Sequence, residues 1–124
     1  MAFSVAKLGK FKSFEKAQGF FIENTPSTGD SFSVTYVKLN DARDPSELDK
    51  LIELNPGFSA IYIVVDGVVS FRFYEGDSTT SAVLSKREYI TVTPGTKYEI
   101  KGTGELALIC LPAFSDKMFS HTDK

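Results

Sequence analysis

The stretch Ile61-Tyr62-Ile63-Val64-Val65-Asp66-Gly67-Val68-Val69-Ser70-Phe71-Arg72-Phe73-Tyr74 decides how the chain reads. Two β-branched and aromatic runs flank an Asp-Gly pair. Such residues suit pleated, half-buried surfaces, and Asp-Gly supplies the positive φ that a two-residue hairpin turn needs. The stretch therefore predicts a hairpin turning at Asp66-Gly67. After the turn Val69, Phe71 and Phe73 alternate with Ser70, Arg72 and Tyr74, so one face is buried. Before the turn Ile61 to Val65 is apolar on both faces, which predicts that a second sheet or a second copy of the chain covers the outer side.

The pattern continues on both sides. Glu75-Gly76-Asp77-Ser78, Lys86-Arg87-Glu88 and Pro94-Gly95 read as turns between strands at 79–84, 89–92 and 96–101. Thr96, Tyr98 and Ile100 alternate with Lys97, Glu99 and Lys101. Putting the charged set in water turns Tyr98 inward. Gly102-Thr103-Gly104 reads as a further turn, and Glu105 to Leu111 as a closing buried strand. Upstream, Ser31 to Leu39 alternates, with Phe32, Val34 and Tyr36 expected on the buried side. Phe11 to Ile22 is ambiguous between helix and strand. Asp44-Pro45-Ser46-Glu47 carries cap, first-turn proline and capping-box glutamate, and Leu48, Leu51 and Ile52 form a stripe. A short helix over 45–54 is therefore predicted, stopped by Asn55-Pro56-Gly57. Short strands with a turn every eight to twelve residues predict an all-β sandwich or barrel.

Length and composition agree with one domain over residues 1–124. The 124 residues suffice for a core without disulfide or metal staples, and 42% hydrophobic with 24% charged residues is a globular balance. Net charge is -2, which disfavours a nucleic-acid partner. Lys7, Lys10, Lys12 and Lys16 cluster near the N-terminus, where a solvated face is the ordinary role. No run reaches the ~20 apolar residues of a membrane span and no signal peptide is evident, so cytoplasmic residence is the expectation. Cys110, the single cysteine, lies in the apolar run Leu106 to Leu111 and is expected to be buried.

From Phe58 to Phe114 the chain resembles the cupin family. The resemblance rests on Ile61 to Gly67 as the end of the first cupin motif, on Tyr89-Ile90-Thr91-Val92-Thr93-Pro94-Gly95-Thr96 as the second, and on the strand through Leu111-Pro112-Ala113-Phe114. It implies a β-barrel or jelly roll. It also implies a metal held by two His and a Glu of the first motif and a His of the second. In this chain the Glu position falls on Ala60, the His pair near Glu53 and Asn55, and the second-motif His position on Tyr98; Glu88 replaces that motif's opening glycine. The only histidine is His121, in the polar tail. No metal and no other cofactor are therefore expected.

Within such a barrel Tyr36, Tyr62, Phe71, Phe73 and Tyr98 are the candidates to line the interior, with Glu53 as a carboxylate partner if the helix end reaches the mouth. Core packing is the ordinary role of these aromatics; a pocket with phenol hydroxyls to orient a ligand is the functional one. Tyr98 stands out because it occupies the family's histidine position. Three functions stay open: a metal-independent binder of a small organic molecule such as a sugar or carboxylic acid; a metal-free isomerase, epimerase or lyase, for which no His base is evident; and a homodimerisation scaffold.

Overall fold

The structure is a computed structural model. It describes residues 13–17, 20–23, 32–40, 52–55, 57–112 and 120–122, with side chains described over 32–40 and 57–112. The described residues hold strands and turns and no helix: β1 (Ser13–Ala17), β2 (Phe20–Glu23), β3 (Ser33–Leu39), β4 (Ile52–Asn55), β5 (Ser59–Glu75), β6 (Ser78–Leu84), β7 (Tyr89–Val92), β8 (Thr96–Leu111) and β9 (Ser120–Thr122). The all-β expectation holds. The helix over 45–54 does not: residues 52–55 form β4, and 45–51 lie outside the described residues. Ile52 to Asn55 is wedged between β8 and β9, and ladder pairing on both edges overrides the weak local preference for a helical turn.

The sheet is antiparallel and not closed. Its spine is the ladder of β5 with β8, which runs from Ser59↔Leu111 to Tyr74↔Lys97. Each spine strand is flanked on its free edge by two short strands. On β5 these are β7 and β6; on β8 they are β3 and β4, and the order continues β1-β2-β3-β8-β4-β9.

Asp66-Gly67 is not a hairpin turn. β5 continues through it with a bulge between Val64 and Asp66, and Gly102-Thr103-Gly104 likewise lies within β8. The two glycine-rich points face each other, Gly67 opposite Gly104 and Val69 opposite Gly102. Gly67 has φ +85° and Gly102 φ +122°. A Cβ on Gly67 would overlap the Thr103 carbonyl oxygen, and one on Gly102 would lie 2.5 Å from that of Val68. The glycines thus serve a sharp joint bend of two long strands. The tight turns fall instead at Gly76-Asp77, Lys86-Arg87 and Pro94-Gly95, as expected. The 86–88 turn docks on the bulge: Val64 N–H donates to the Glu88 carbonyl at 2.9 Å, and Arg87 N–H to the Val64 carbonyl at 2.9 Å. Glu88 accepts from Ser85 N–H and from its hydroxyl, each at 2.8 Å, and the first of these chiefly holds its carboxyl below the usual range.

The bulge inverts the side-chain parity of β5. Before it Ala60, Tyr62 and Val64 are buried; after it Val69 and Phe71 are. With Val37 and Leu39 of β3, Val92 of β7, and Ile100, Leu106, Leu108 and Cys110 of β8 they make one core. Each fully buried large side chain contributes about 1.5–3 kcal/mol. Among the described residues no helix is long and apolar enough to cross a membrane.

Candidate functional site

The bend decides which side chains meet. Tyr62 and Phe71 lie nine positions apart on one strand, roughly 30 Å if it were straight. Their ring centroids are 5.1 Å apart at 61°. The joint bend folds one arm of the spine over the other, and the inward aromatics of both arms collect between them. Tyr62 stands edge-on to Tyr98 at 6.2 Å and 70°. Phe71 lies nearly parallel to Phe73 at 6.2 Å and 11°, and Tyr98 packs on Phe73 at 6.1 Å. Phe73 and Tyr98 are directly opposed on the β5–β8 ladder. Tyr62, Phe71 and Tyr98 are buried, whereas Phe73 is half-buried and forms the outer end of the group.

At the inner end the two phenols meet, with Tyr62 Oη and Tyr98 Oη 2.8 Å apart. A buried hydroxyl needs a partner, and here each phenol supplies the other's. Each phenol has one proton to donate and two lone pairs to accept with.

Of the six candidate residues, the structure gathers Tyr62, Phe71, Phe73 and Tyr98 into this cluster. Tyr36 is not in it. β3 turns Thr35, Val37 and Leu39 inward and leaves Tyr36 half-buried on the other face, with Lys38 Nζ 6.0 Å from its ring centre. The register with β8 enforces this, because Thr35 opposes Leu108 and Val37 opposes Leu106, both inward. Phe32 is likewise exposed. Glu53 lies on β4 directly opposite Tyr98. Glu53 thus takes its place opposite Tyr98 by strand pairing, where the sequence predicts a helix end.

Two of the positions at which the resemblance implies metal ligands, Ala60 and Tyr98, do not fit a divalent metal. Ala60 is buried and offers no donor atom, and the Tyr98 phenol is hydrogen-bonded to Tyr62. Among the described residues no three His, Cys, Asp or Glu side chains are grouped as a metal would require. Cys110 is buried, as expected.

Sequence reasoning missed the outer face of the same ladder. Glu99, expected in water, is buried, with Arg72 Nη1 at 3.3 Å and Lys101 Nζ at 3.5 Å from Oε1. Arg72 directly opposes Glu99 on the ladder, which is the signal that the hairpin reading concealed. Beside them the Tyr74 hydroxyl is buried, and desolvation holds its pKa above the ordinary phenol value.

No family model and no curated protein sequence matches the chain. Solved structures do. Streptomyces Pac13, a β-barrel nucleoside dehydratase, is 20% identical with a TM-score of 0.76, covering 98% of this chain and 92% of its own. Variants of Pac13 with a single tyrosine replaced by phenylalanine have been solved with uridine. A protein from Planctomyces limnophilus is 18% identical at a TM-score of 0.71, covering 94% of each chain. The hydroxypropylphosphonic acid epoxidase of S. wedmorenis is 10% identical at 0.68, covering 89% of this chain and 59% of its own. This chain has a cupin-like fold, and at these identities the likeness carries the fold alone.

Proposed function

We propose that the protein binds a small organic molecule, without a cupin-type metal, against the aromatic cluster of Tyr62, Phe71, Phe73 and Tyr98. The observation that carries this reading is the 2.8 Å phenol pair between the two arms of the spine. An apolar wall with a few converging hydroxyls is the ordinary make-up of a small-molecule site. A ring-bearing, hydroxylated compound matches it: aromatic faces take the ring and the phenols take a hydroxyl or carbonyl. The likeness to Pac13, solved with uridine, supports a nucleoside or sugar over a simple carboxylic acid. Uridine, representative sugars and carboxylic acids are the probes. One of them raises the melting temperature, and Tyr98→Phe and Tyr62→Phe each reduce that rise. If no probe moves the melting temperature, the reading fails.

A second reading, a metal-free lyase, is favoured by Glu53 standing opposite Tyr98. In such a step a base takes a proton from carbon, the C–H pair becomes a double bond, and an acid protonates the departing hydroxyl. Water is lost and no oxidant is needed. Mass spectrometry of bound probes after incubation shows the loss of one water in that case, and unchanged mass in the binding case.

We also propose that the protein is a homodimer. Ile61 and Ile63 are half-buried and Val65 and Tyr89 exposed along the outer side of β5 and β7, which is the apolar surface a second copy would cover. Sedimentation at monomer mass at working concentration removes this part of the proposal.

A further inference from the structure

His121 is the only histidine of the chain, and its position in the polar tail gives it no role on sequence grounds. The strand pairing does. β9 pairs with β4 so that His121 lies directly opposite Glu53, and β4 pairs with β8 so that Glu53 lies directly opposite Tyr98. On its other edge β8 places Phe73 opposite Tyr98. Phe73, Tyr98, Glu53 and His121 therefore occupy one row across four neighbouring strands.

Directly opposed positions of an antiparallel ladder lie on the same face of the sheet, with Cβ atoms about 4.5–5.5 Å apart. Tyr98 fixes which face this is: it is fully buried in the aromatic cluster. The positions of Glu53 and His121 are thus on the same face of the sheet as Tyr98. Strands are about 4.8 Å apart, so the row carries a phenol, a carboxylate and an imidazole within roughly 10 Å of backbone.

We infer that His121 is the titratable base of the site, set beside Glu53 in the Tyr98–Glu53–His121 row. The row gives a site whose Ala60 and Tyr98 do not fit a metal the means to move protons. A neutral imidazole accepts a proton near neutral pH, an adjacent carboxylate fixes its tautomer and stabilises its charged form, and the phenol donates to a ligand oxygen. The titratable groups that share the row or meet it are Glu53 on β4, Tyr98 on β8 and, through the phenol pair, Tyr62 on β5. Among the described residues no strand pairs with the far edge of β9. The inference deepens the proposed binding reading and rests on it for the ligand, but the row itself is tested without one.

A single histidine gives a single imidazole spectrum. The test is an NMR pH titration of His121 in the full-length protein, followed by the same titration in Glu53→Gln. The expected result is a pKa above the ordinary value near 6.5, by on the order of one pH unit, because an opposite charge favours the imidazolium. Glu53→Gln removes that rise. If Glu53→Gln does not fold, the wild-type value alone decides, with Tyr98→Phe as the second variant, which shifts the imidazole resonances. A wild-type titration at the ordinary value, unmoved by either variant, overturns the inference. Uridine and the sugars are then added. Shifted His121 resonances support both the row and the binding reading. A coupled His121 that no probe perturbs leaves the row standing and removes the ligand proposal, so the two failures are distinguishable.

Discussion

On the inner face of the β5–β8 ladder, Tyr98 is buried with its phenol 2.8 Å from that of Tyr62, inside a wall of Phe71 and Phe73. One residue further along the same strand, on the outer face, Glu99 is 3% exposed, and Arg72 and Lys101 stand 3.3 and 3.5 Å from its carboxylate. Both faces bury polar atoms, by different means. The inner face uses neutral groups that satisfy each other, at the cost of two hydroxyls' hydration. The outer face holds a charge, which costs far more to dehydrate and needs cations in place. A site built to exchange a phenol's partner for a ligand atom belongs on the neutral face. A fixed ion cluster belongs where nothing must move.

The largest change expected from breaking this contrast is on the inner face. Tyr98→Ala removes a fully buried ring from among three others, together with its hydrogen bond to the Tyr62 hydroxyl. The cost is about 3–5 kcal/mol, read as a fall in the urea midpoint. A loss below about 1 kcal/mol would mean that Tyr98 lines open space and does not pack.

Next comes the outer face. Arg72→Met keeps the stem and removes one of the two cations from Glu99. Breaking a fully buried pair costs about 3–5 kcal/mol. The Arg72 side chain is 36% exposed, so solvent screening reduces the expected cost to about 1–2 kcal/mol. The double variant Arg72→Met with Glu99→Leu recovers most of that loss, because no charge is left buried. If the double variant is as unstable as the single, the cluster is held by packing and not by charge.

Smaller again is Tyr62→Phe. It keeps the ring and deletes one hydroxyl, costing about 1 kcal/mol for the lost phenol–phenol bond. Ligand binding falls by more than stability does if the pair is a site, and in equal measure if it is only a core contact. A melting curve with and without the best probe separates the two.

The two faces also differ in how legible they were. The inward set Val69, Phe71, Phe73, Tyr98 and Ile100 follows from period-two alternation, which a long strand preserves on either side of a bend. Glu99 does not follow, because its burial depends on Arg72 being opposite, a pairing set by a strand 27 positions away in sequence (99 − 72). Asp66-Gly67 and Gly102-Thr103-Gly104 carried true information, positive φ and close backbone approach. That signature belongs equally to a two-residue turn and to a glycine bend, and only their mutual register tells which. Phe32, Val34 and Tyr36 alternate over the first half of the stretch Ser31 to Leu39 and suggest the wrong face for Tyr36. Val37-Lys38-Leu39 sets the opposite parity, and Lys38 is exposed. Glu53 and His121 acquire neighbours only through β4 and β9, short strands whose pairing has no local sequence mark.

The smallest effect expected is at Tyr74, and it tests the outer face by pH. Burial raises its phenol above the ordinary value of about 10, Arg72 pulls it back, and Glu99 pushes it further up. A raised folded value means that the folded state holds this proton more tightly than the unfolded chain. The associated stability is present below the ordinary phenol value and is lost as pH rises through the folded one. Wild type therefore loses stability in the alkaline range more steeply than Tyr74→Phe, as urea midpoints from about pH 8 to about pH 11 would show. In an Arg72→Met background the one group that lowers the Tyr74 value is gone, so the loss extends to higher pH. Arg72 opposes Glu99 on the outer face, so the difference between the two backgrounds reports that face. Identical alkaline slopes in wild type and Tyr74→Phe would show that the Tyr74 hydroxyl is open to water, and that the ion cluster is less dry than its geometry shows.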